Sequence, residues 1–111
     1  MPYRIISDEG DRLCIAVSGE IDHHTAAQLR SGIDDEVLRR MPKTLVLDFS
    51  GVTFMDSSGI GLIMGRYRLL EPLGGAVELA NVPRPLRRVM TVAGITHLAK
   101  FSDGGKAHET V

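Results

Sequence analysis

Residues 54–67 of this 111-residue chain read Phe-Met-Asp-Ser-Ser-Gly-Ile-Gly-Leu-Ile-Met-Gly-Arg-Tyr. An acid, two hydroxyls and a glycine, Asp56-Ser57-Ser58-Gly59, leave a β-favouring run and open a helix. Both hydroxyls therefore fall where a helix presents its free N–H groups. A nucleophilic serine needs a base to take its proton, and none stands near Ser57 or Ser58 in the sequence. The Gly-x-Ser-x-Gly elbow of serine hydrolases is absent too. The pattern points to serines that receive a group rather than attack a substrate.

A serine at a helix start commonly does no more than cap it. Asp56 can do the same job, so two serines and an aspartate exceed what one helix needs. A phosphate on Ser57 would add about −1.5 to −2 charge at neutral pH. The helix macrodipole tolerates that charge, so the fold need not melt, although Asp56 next door opposes it. A partner docked over the spot would have to bury a dianion. Without paired cations that costs several kcal/mol, enough to change binding by orders of magnitude. Ser57, Gly61 and Gly65 share a helix face at spacings of four. Two glycines inside a helix cost about 1 kcal/mol each relative to alanine. They serve either close packing inside the fold or a smooth strip on which another protein lies.

The elements around the cluster are read from periodicity. Residues 3–7 form a short edge strand, Arg12 to Ser18 a second strand, and Gly19-Glu20-Ile21-Asp22 leaves it. A helix follows, capped by Asp22, with Thr25 and Gln28 offering a competing start. Ala26, Leu29, Ile33 and Val37 face its core, and Pro42 stops it. Thr44 to Phe49 is an apolar strand closed by Ser50-Gly51, and its unbroken run implies cover on both faces. The motif helix extends to Leu70, with Ile60, Ile63, Met64, Tyr67 and Leu70 as its core side. Ala76 to Ala80 is another strand. Pro83 and Pro85 open a third helix with Leu86, Val89, Met90 and Ala93 buried, and residues 96–101 add a last short strand. The order predicts an α/β fold: a mixed four- to five-stranded sheet with helices packed against it.

Length bounds the chain to one domain, 1–111, ending over about 102–111 in a frayed tail or a short last helix. A formal net charge of −1 argues against bulk attraction to nucleic acid or an anionic membrane. Cys14 is the only cysteine, which excludes an intrachain disulfide and a multi-cysteine zinc site. No run approaches the ~20 apolar residues that span a bilayer, and the start lacks a signal peptide's apolar stretch. A cytoplasmic protein is expected.

Gly19-Glu20-Ile21-Asp22-His23-His24-Thr25-Ala26, then Phe54 to Gly61, then Gly65-Arg66-Tyr67, resemble the anti-sigma factor antagonists of the STAS domain family. The narrower motifs at Asp22 and Gly65 are similar to its sporulation, sigma F branch. The resemblance implies a partner-switching protein. The unphosphorylated form binds an anti-sigma factor that is itself a serine kinase and frees the sigma factor. The kinase, using ATP, phosphorylates Ser57, and a PP2C-type serine phosphatase reverses it. The same match implies that Asp22, His23, Asp56, Ser58, Gly59, Gly61 and Gly65 line the partner site. It further implies no catalytic residue, metal or cofactor of the chain's own, with ATP and ADP held by the kinase. A monomer or weak dimer is expected.

Two other readings compete. Asp48 near the end of a central strand resembles the phosphoacceptor of a receiver domain, with Asp8-Glu9 and Lys100 as loose candidates for the acidic pair and the lysine. A STAS scaffold in a stress-signalling assembly is the other. His23 and His24 are adjacent, point about 100° apart on a helix and make a poor metal pair. Arg84, Arg87 and Arg88 make the third helix basic, as a solvated face or as a patch for an acidic partner.

Overall fold

The computed structural model of the protein describes residues 2–102. The loose end expected beyond Ser102 lies outside them. Five strands and three helices alternate: β1 (Tyr3–Glu9), β2 (Arg12–Ile21), α1 (His23–Arg40), β3 (Thr44–Met55), α2 (Ser57–Leu70), β4 (Ala76–Ala80), α3 (Arg84–Val92) and β5 (Ala99–Ser102). The strands pair in sequence order, β1 antiparallel to β2 and the remaining three ladders parallel. The mixed sheet expected from the element order is present.

Sequential parallel order has a consequence. Parallel crossovers are right-handed, and here each steps to the neighbouring strand in the same direction. All three helices therefore lie on one face. Leu29, Ile33 and Val37 of α1, Leu62, Ile63 and Leu70 of α2, and Met90 of α3 join Leu13, Ile15, Leu45, Leu47, Val77 and Leu79 in a single buried cluster. Every helix starts at the same edge of the sheet, where the parallel strands end.

The other face carries no helix among the described residues, which corrects the reading of β3 as covered on both sides. Val46 is nonetheless buried. Arg12 of β2 reaches across β3 and donates to both carboxylate oxygens of Glu78 on β4, at 3.1 and 2.9 Å. Ser102 donates to the same carboxylate at 2.7 Å. The Arg12 hydrogen bond, aided by Ser102, holds the Glu78 carboxyl below the usual range against the effect of its burial. A polar strap spanning four strands, β2 to β5, takes the place of a helix layer.

Other boundaries also move. β2 continues through Gly19 to Ile21, and β3 passes Ser50-Gly51 to reach Met55. Irregularities in the β2–β3 ladder, after Ala16 and after Gly19, absorb the extra residues that read as a strand end. On α3, Leu86, Met90 and Ala93 pack inward at spacings of four and three, and Val89, about 60° off that line, is half exposed. Thr25 is no second helix start: it sits at N3 and completes the capping box of Asp22.

The core face of α2 is wider than the periodicity implied. Gly59, Leu62, Ile63, Arg66 and Leu70 are buried, while Ile60, Met64 and Tyr67 pack partly against the core. The reason is α1, which lies alongside and covers a second flank. Arg66 is 4% exposed there. Its Nε stands 2.8 Å from Asp34 Oδ1 on α1, and Nη2 donates to Oδ2 at 3.4 Å. Nη1 has no partner among the described residues. Burial raises the Asp34 pKa and lowers that of Arg66, in each case outweighing the partner's charge. The pair ties α1 to α2, and a buried ion pair of this kind gains little over an apolar one.

Removing one member strands the other. Asp34→Ala is expected to lower unfolding stability by about 3 kcal/mol, read from urea denaturation. The Asp34→Leu/Arg66→Met double variant should be at least as stable as the wild type. A double variant weaker than the wild type would show the pair to be stabilising.

Candidate functional site

β2 and β3 end side by side. The Asp56 N–H donates to the Ile21 carbonyl at 3.1 Å, one residue before the next chain position, Asp22, caps α1. The two helix N-termini that follow are neighbours, and their partial positive charges converge on one edge.

Each start is capped by an aspartate. The Asp22 carboxylate accepts from the Thr25 N–H at 2.9 Å, and the Asp22 N–H donates to Thr25 Oγ1 at 2.9 Å. The Thr25 hydroxyl also donates to the Glu20 carbonyl at 2.9 Å, tying the cap to the strand end. The hydrogen bond from the Thr25 N–H, above all, holds the Asp22 carboxyl below the usual carboxylate range. On α2, Asp56 accepts from the Ser58 N–H at 2.8 Å, and its carbonyl accepts from the Gly59 N–H at 3.0 Å.

With Asp56 as the cap, neither serine hydroxyl is needed for capping. Ser57 occupies the first helical position and is exposed, and Ser58 behind it is partly covered. No hydrogen bond joins the Ser57 hydroxyl to another described residue. Gly59 is buried for a steric reason: a Cβ there would run into Cγ and Sδ of Met55.

Gly61 and Gly65 differ. A Cβ at either position would meet nothing within 4 Å. Neither glycine serves close packing inside the fold, which answers the question left open by periodicity. Gly61 lines a recess of about 310 Å³ between the helices, with Ser58 from α2 and His23, Ala27 and Arg30 from α1. Gly65 lies one turn further along α2. The structure therefore brings His23, Ser58 and Gly61 into one recess, at the edge shared by Asp22, Asp56 and Ser57.

Two residues at this edge were not singled out from the sequence. Arg30 follows His23 by two helical turns, forms no ion pair among the described residues and supplies the recess with a cation. Phe54 is half exposed at the end of β3. The i,i+7 spacing from His23 was available as a signal for Arg30. None existed for Phe54, whose direction depends on strand register.

The remaining candidates lie elsewhere. Asp48 sits mid-strand on the helix-free face. One oxygen accepts from the Ser50 N–H at 2.9 Å and the other from Asn81 Nδ2 at 3.1 Å. Asp8, in register with Leu13, is three rungs from Asp48's level and pairs with Arg40. No group of three His, Cys, Asp or Glu able to hold a metal occurs among the described residues. Arg84, Arg87 and Arg88 are exposed on α3, with Arg87 stacked 4.7 Å from the Phe101 ring centre. No described helix is long and apolar enough to cross a membrane.

Open space above the glycines has a measurable consequence. Gly61→Ala and Gly65→Ala are each expected to raise unfolding stability by about 1 kcal/mol, seen as a higher urea midpoint. A loss would mean that the positions are packed. The Asp22 cap has a pH signature. Its folded pKa is depressed, so its contribution is complete above the unfolded value of about 3.9 and fades as pH falls through the folded one. Between pH 5 and 3 the wild type should lose stability more steeply than Asp22→Asn, whose amide caps without titrating. Parallel curves would contradict this.

The whole arrangement matches known proteins. The family model of the STAS domain matches residues 4–106. The anti-sigma F factor antagonist of Paenibacillus polymyxa is 36% identical over 91 residues, which cover 82% of this chain and 78% of that protein. The anti-sigma-B factor antagonist of Bacillus subtilis is 29% identical, covering 82% and 84%. Among solved structures, the anti-sigma factor antagonist SpoIIAA in its unphosphorylated form superposes with a TM-score of 0.80 at 29% identity, over 97% of this chain and 94% of that one. The phosphorylated form of Bacillus SpoIIAA gives 0.73 at 29% identity, over 97% of both chains. This chain belongs to the STAS domain family.

Proposed function

We propose that the protein is an anti-sigma factor antagonist controlled by phosphorylation of Ser57. In its unphosphorylated form it binds an anti-sigma factor that is also a serine kinase and so releases the sigma factor, sigma F of sporulation by the similarity to the Paenibacillus protein. The kinase brings ATP, transfers its γ-phosphoryl group to Ser57 and lets go. A PP2C-type phosphatase restores the binding form. The chain is then a substrate and a ligand, with no catalytic residue or cofactor of its own, and it acts in the cytoplasm with the transcription machinery.

The observation that carries this reading is the Ser57 hydroxyl. It is exposed and without a described partner, at the first position of a helix whose cap is already supplied by Asp56. A kinase can take that oxygen without first breaking the fold. The two helix N-termini favour the phosphate, while Asp22 and Asp56 raise the local negative charge that a docked partner must meet. Gly61 and the recess beside it leave room for the partner's backbone.

Incubation with the cognate anti-sigma kinase and ATP, followed by peptide mass mapping, is expected to place one phosphate on Ser57. It should be acid-stable and base-labile, as a phosphoserine is. A hydroxylamine-labile acyl phosphate on Asp48 would support the receiver reading instead. Ser57→Ala should bind the kinase and never be released by ATP. Ser57→Asp should bind more weakly, though less so than the phosphoprotein because one carboxylate carries less charge. Gly61→Ala should lose about tenfold in affinity, roughly 1.4 kcal/mol, while gaining stability. Equal affinity would remove Gly61 from the interface.

A further inference from the structure

We infer that the recess between α1 and α2 receives a carboxylate side chain of the docking kinase, with Arg30 as the residue that binds it. The inference rests on the function proposed above and adds the chemistry of one partner contact to it.

The recess exists because small side chains face each other there. His23, Ala27, Arg30 and Asp34 lie along one stripe of α1, at spacings of four and three. Across from them α2 presents Ser58 and Gly61. Further along, the same two helices close on the Asp34–Arg66 pair. The open part holds about 310 Å³, and Ala26, Ala27 and Leu62 give it apolar walls. Arg30 is the one Arg or Lys among its lining residues.

Arg30 has no acid of its own. Asp34, one turn along α1, stands at the spacing of a helical ion pair, but Arg66 takes both of its oxygens. Arg66 Nε is 2.8 Å from Oδ1, and Nη2 donates to Oδ2 at 3.4 Å. Glu36 is held by Arg39 and Arg40. Asp35 projects about 140° away from Arg30 around the helix. Arg30 and Arg66 therefore share one carboxylate. The charge of each is felt at Asp34, and that of Arg30 opposes that of Arg66. Arg66 does not release Asp34 to its neighbour. It is 4% exposed, its Nη1 already lacks a partner among the described residues, and letting go would strand a buried charge. The cluster is one anion short, and an acidic side chain from a docked protein completes it.

Two features select a carboxylate side chain over a free anion. Apolar walls accommodate the methylene groups of Glu or Asp, which inorganic phosphate lacks. The planar fork of arginine matches a carboxylate in two parallel hydrogen bonds. The location of the recess selects the kinase. Ser58 in its wall directly follows Ser57, and a protein that brings a γ-phosphoryl group to the Ser57 oxygen covers the next residue too. The partner's backbone then passes over bare Gly61 and sends one acidic side chain between the helices. Water leaves as this contact forms. The ion pair is then of the desolvated kind that is costly to truncate, unlike an exposed pair. A phosphate on Ser57 would stand one residue from a recess already holding the partner's negative charge, which sharpens the switch.

The test uses the full chain and its cognate kinase loaded with ADP, with affinity measured by calorimetry and rates by stopped flow. Wild type that neither binds nor accepts phosphate on Ser57 overturns the functional reading and this inference with it. With wild type binding, Arg30→Gln is expected to raise Kd about tenfold, chiefly through faster dissociation, and to melt within about 2 °C of wild type. A rise of less than about fivefold overturns the inference while leaving the function intact. So does a loss confined to the association rate that vanishes in about 0.5 M salt, the mark of long-range attraction alone. Each exposed Asp and Glu of the kinase is then changed to its amide. One of these changes should cost as much as Arg30→Gln and add nothing when combined with it; a kinase without such a residue overturns the carboxylate. If Arg30→Gln does not fold, Ala27→Glu gives the same reading. An acid three residues before Arg30 fills the recess from within, so stability should hold or rise while Kd rises about tenfold, and an unchanged Kd overturns the inference.

Discussion

The hydrogen bond from Asp56 N–H to the Ile21 carbonyl closes the parallel ladder on which the site depends. β3 pairs with β4 only from Thr44 to Asp48, yet with β2 it continues to Met55. The outer part is a two-stranded ribbon, and such a ribbon is marginal by itself. It holds because Ile21 and Val52 remain in the core and Met55 lies over the bare backbone of Gly59. Where the ribbon ends, two helices start within one strand spacing. Every property of the edge follows: neighbouring positive helix ends, two carboxylate caps and a serine with nothing to do in the fold.

The same region departs from what stability alone would select. α2 carries two interior glycines under open space and a buried arginine whose Nη1 lacks a described partner. β3 slips register twice within a short stretch. Local departures of this kind cluster where a protein must do something besides fold. The polar strap of Arg12, Glu78 and Ser102, by contrast, answers a structural need. Right-handed crossovers in sequence order leave one sheet face without helices, and Val46 would otherwise be wet.

The alternation of elements, the Asp22 cap and the Asp56-Ser57-Ser58-Gly59 start were legible because each is written in local chemistry: a cap, a helical period, a proline stop. The ends of β2 and β3 were not. Ser50-Gly51 and Gly19-Glu20 are turn residues by type, and only pairing with a neighbouring strand makes them part of a slipped ladder. The core face of α2 was misjudged at Arg66 because a charged side chain at a buried position is visible only with its partner, Asp34, which lies 32 residues away on another helix. Val89 failed for a simpler reason, a stripe drawn one residue too wide. Within the site, residue identity was legible and direction was not. Gly61 and Gly65 could be named, but whether they faced the core or open space required the fold.

A phosphate at Ser57 fits this edge for electrostatic reasons that separate folding from binding. In the free protein the added charge is solvated, and the unpaired N–H groups of two adjacent helix ends face it with partial positive charge. Asp22 and Asp56 repel it, but through solvent, where such terms are small at physiological ionic strength. Fold stability would then be nearly indifferent to a phosphate on Ser57. A docked partner changes the medium: it removes the water, and the same dianion then stands with two carboxylates in a region of lower dielectric. Arg30 is the cation the recess offers, two turns down α1 from His23. The penalty therefore appears only in the complex, which is what a reversible switch in affinity requires.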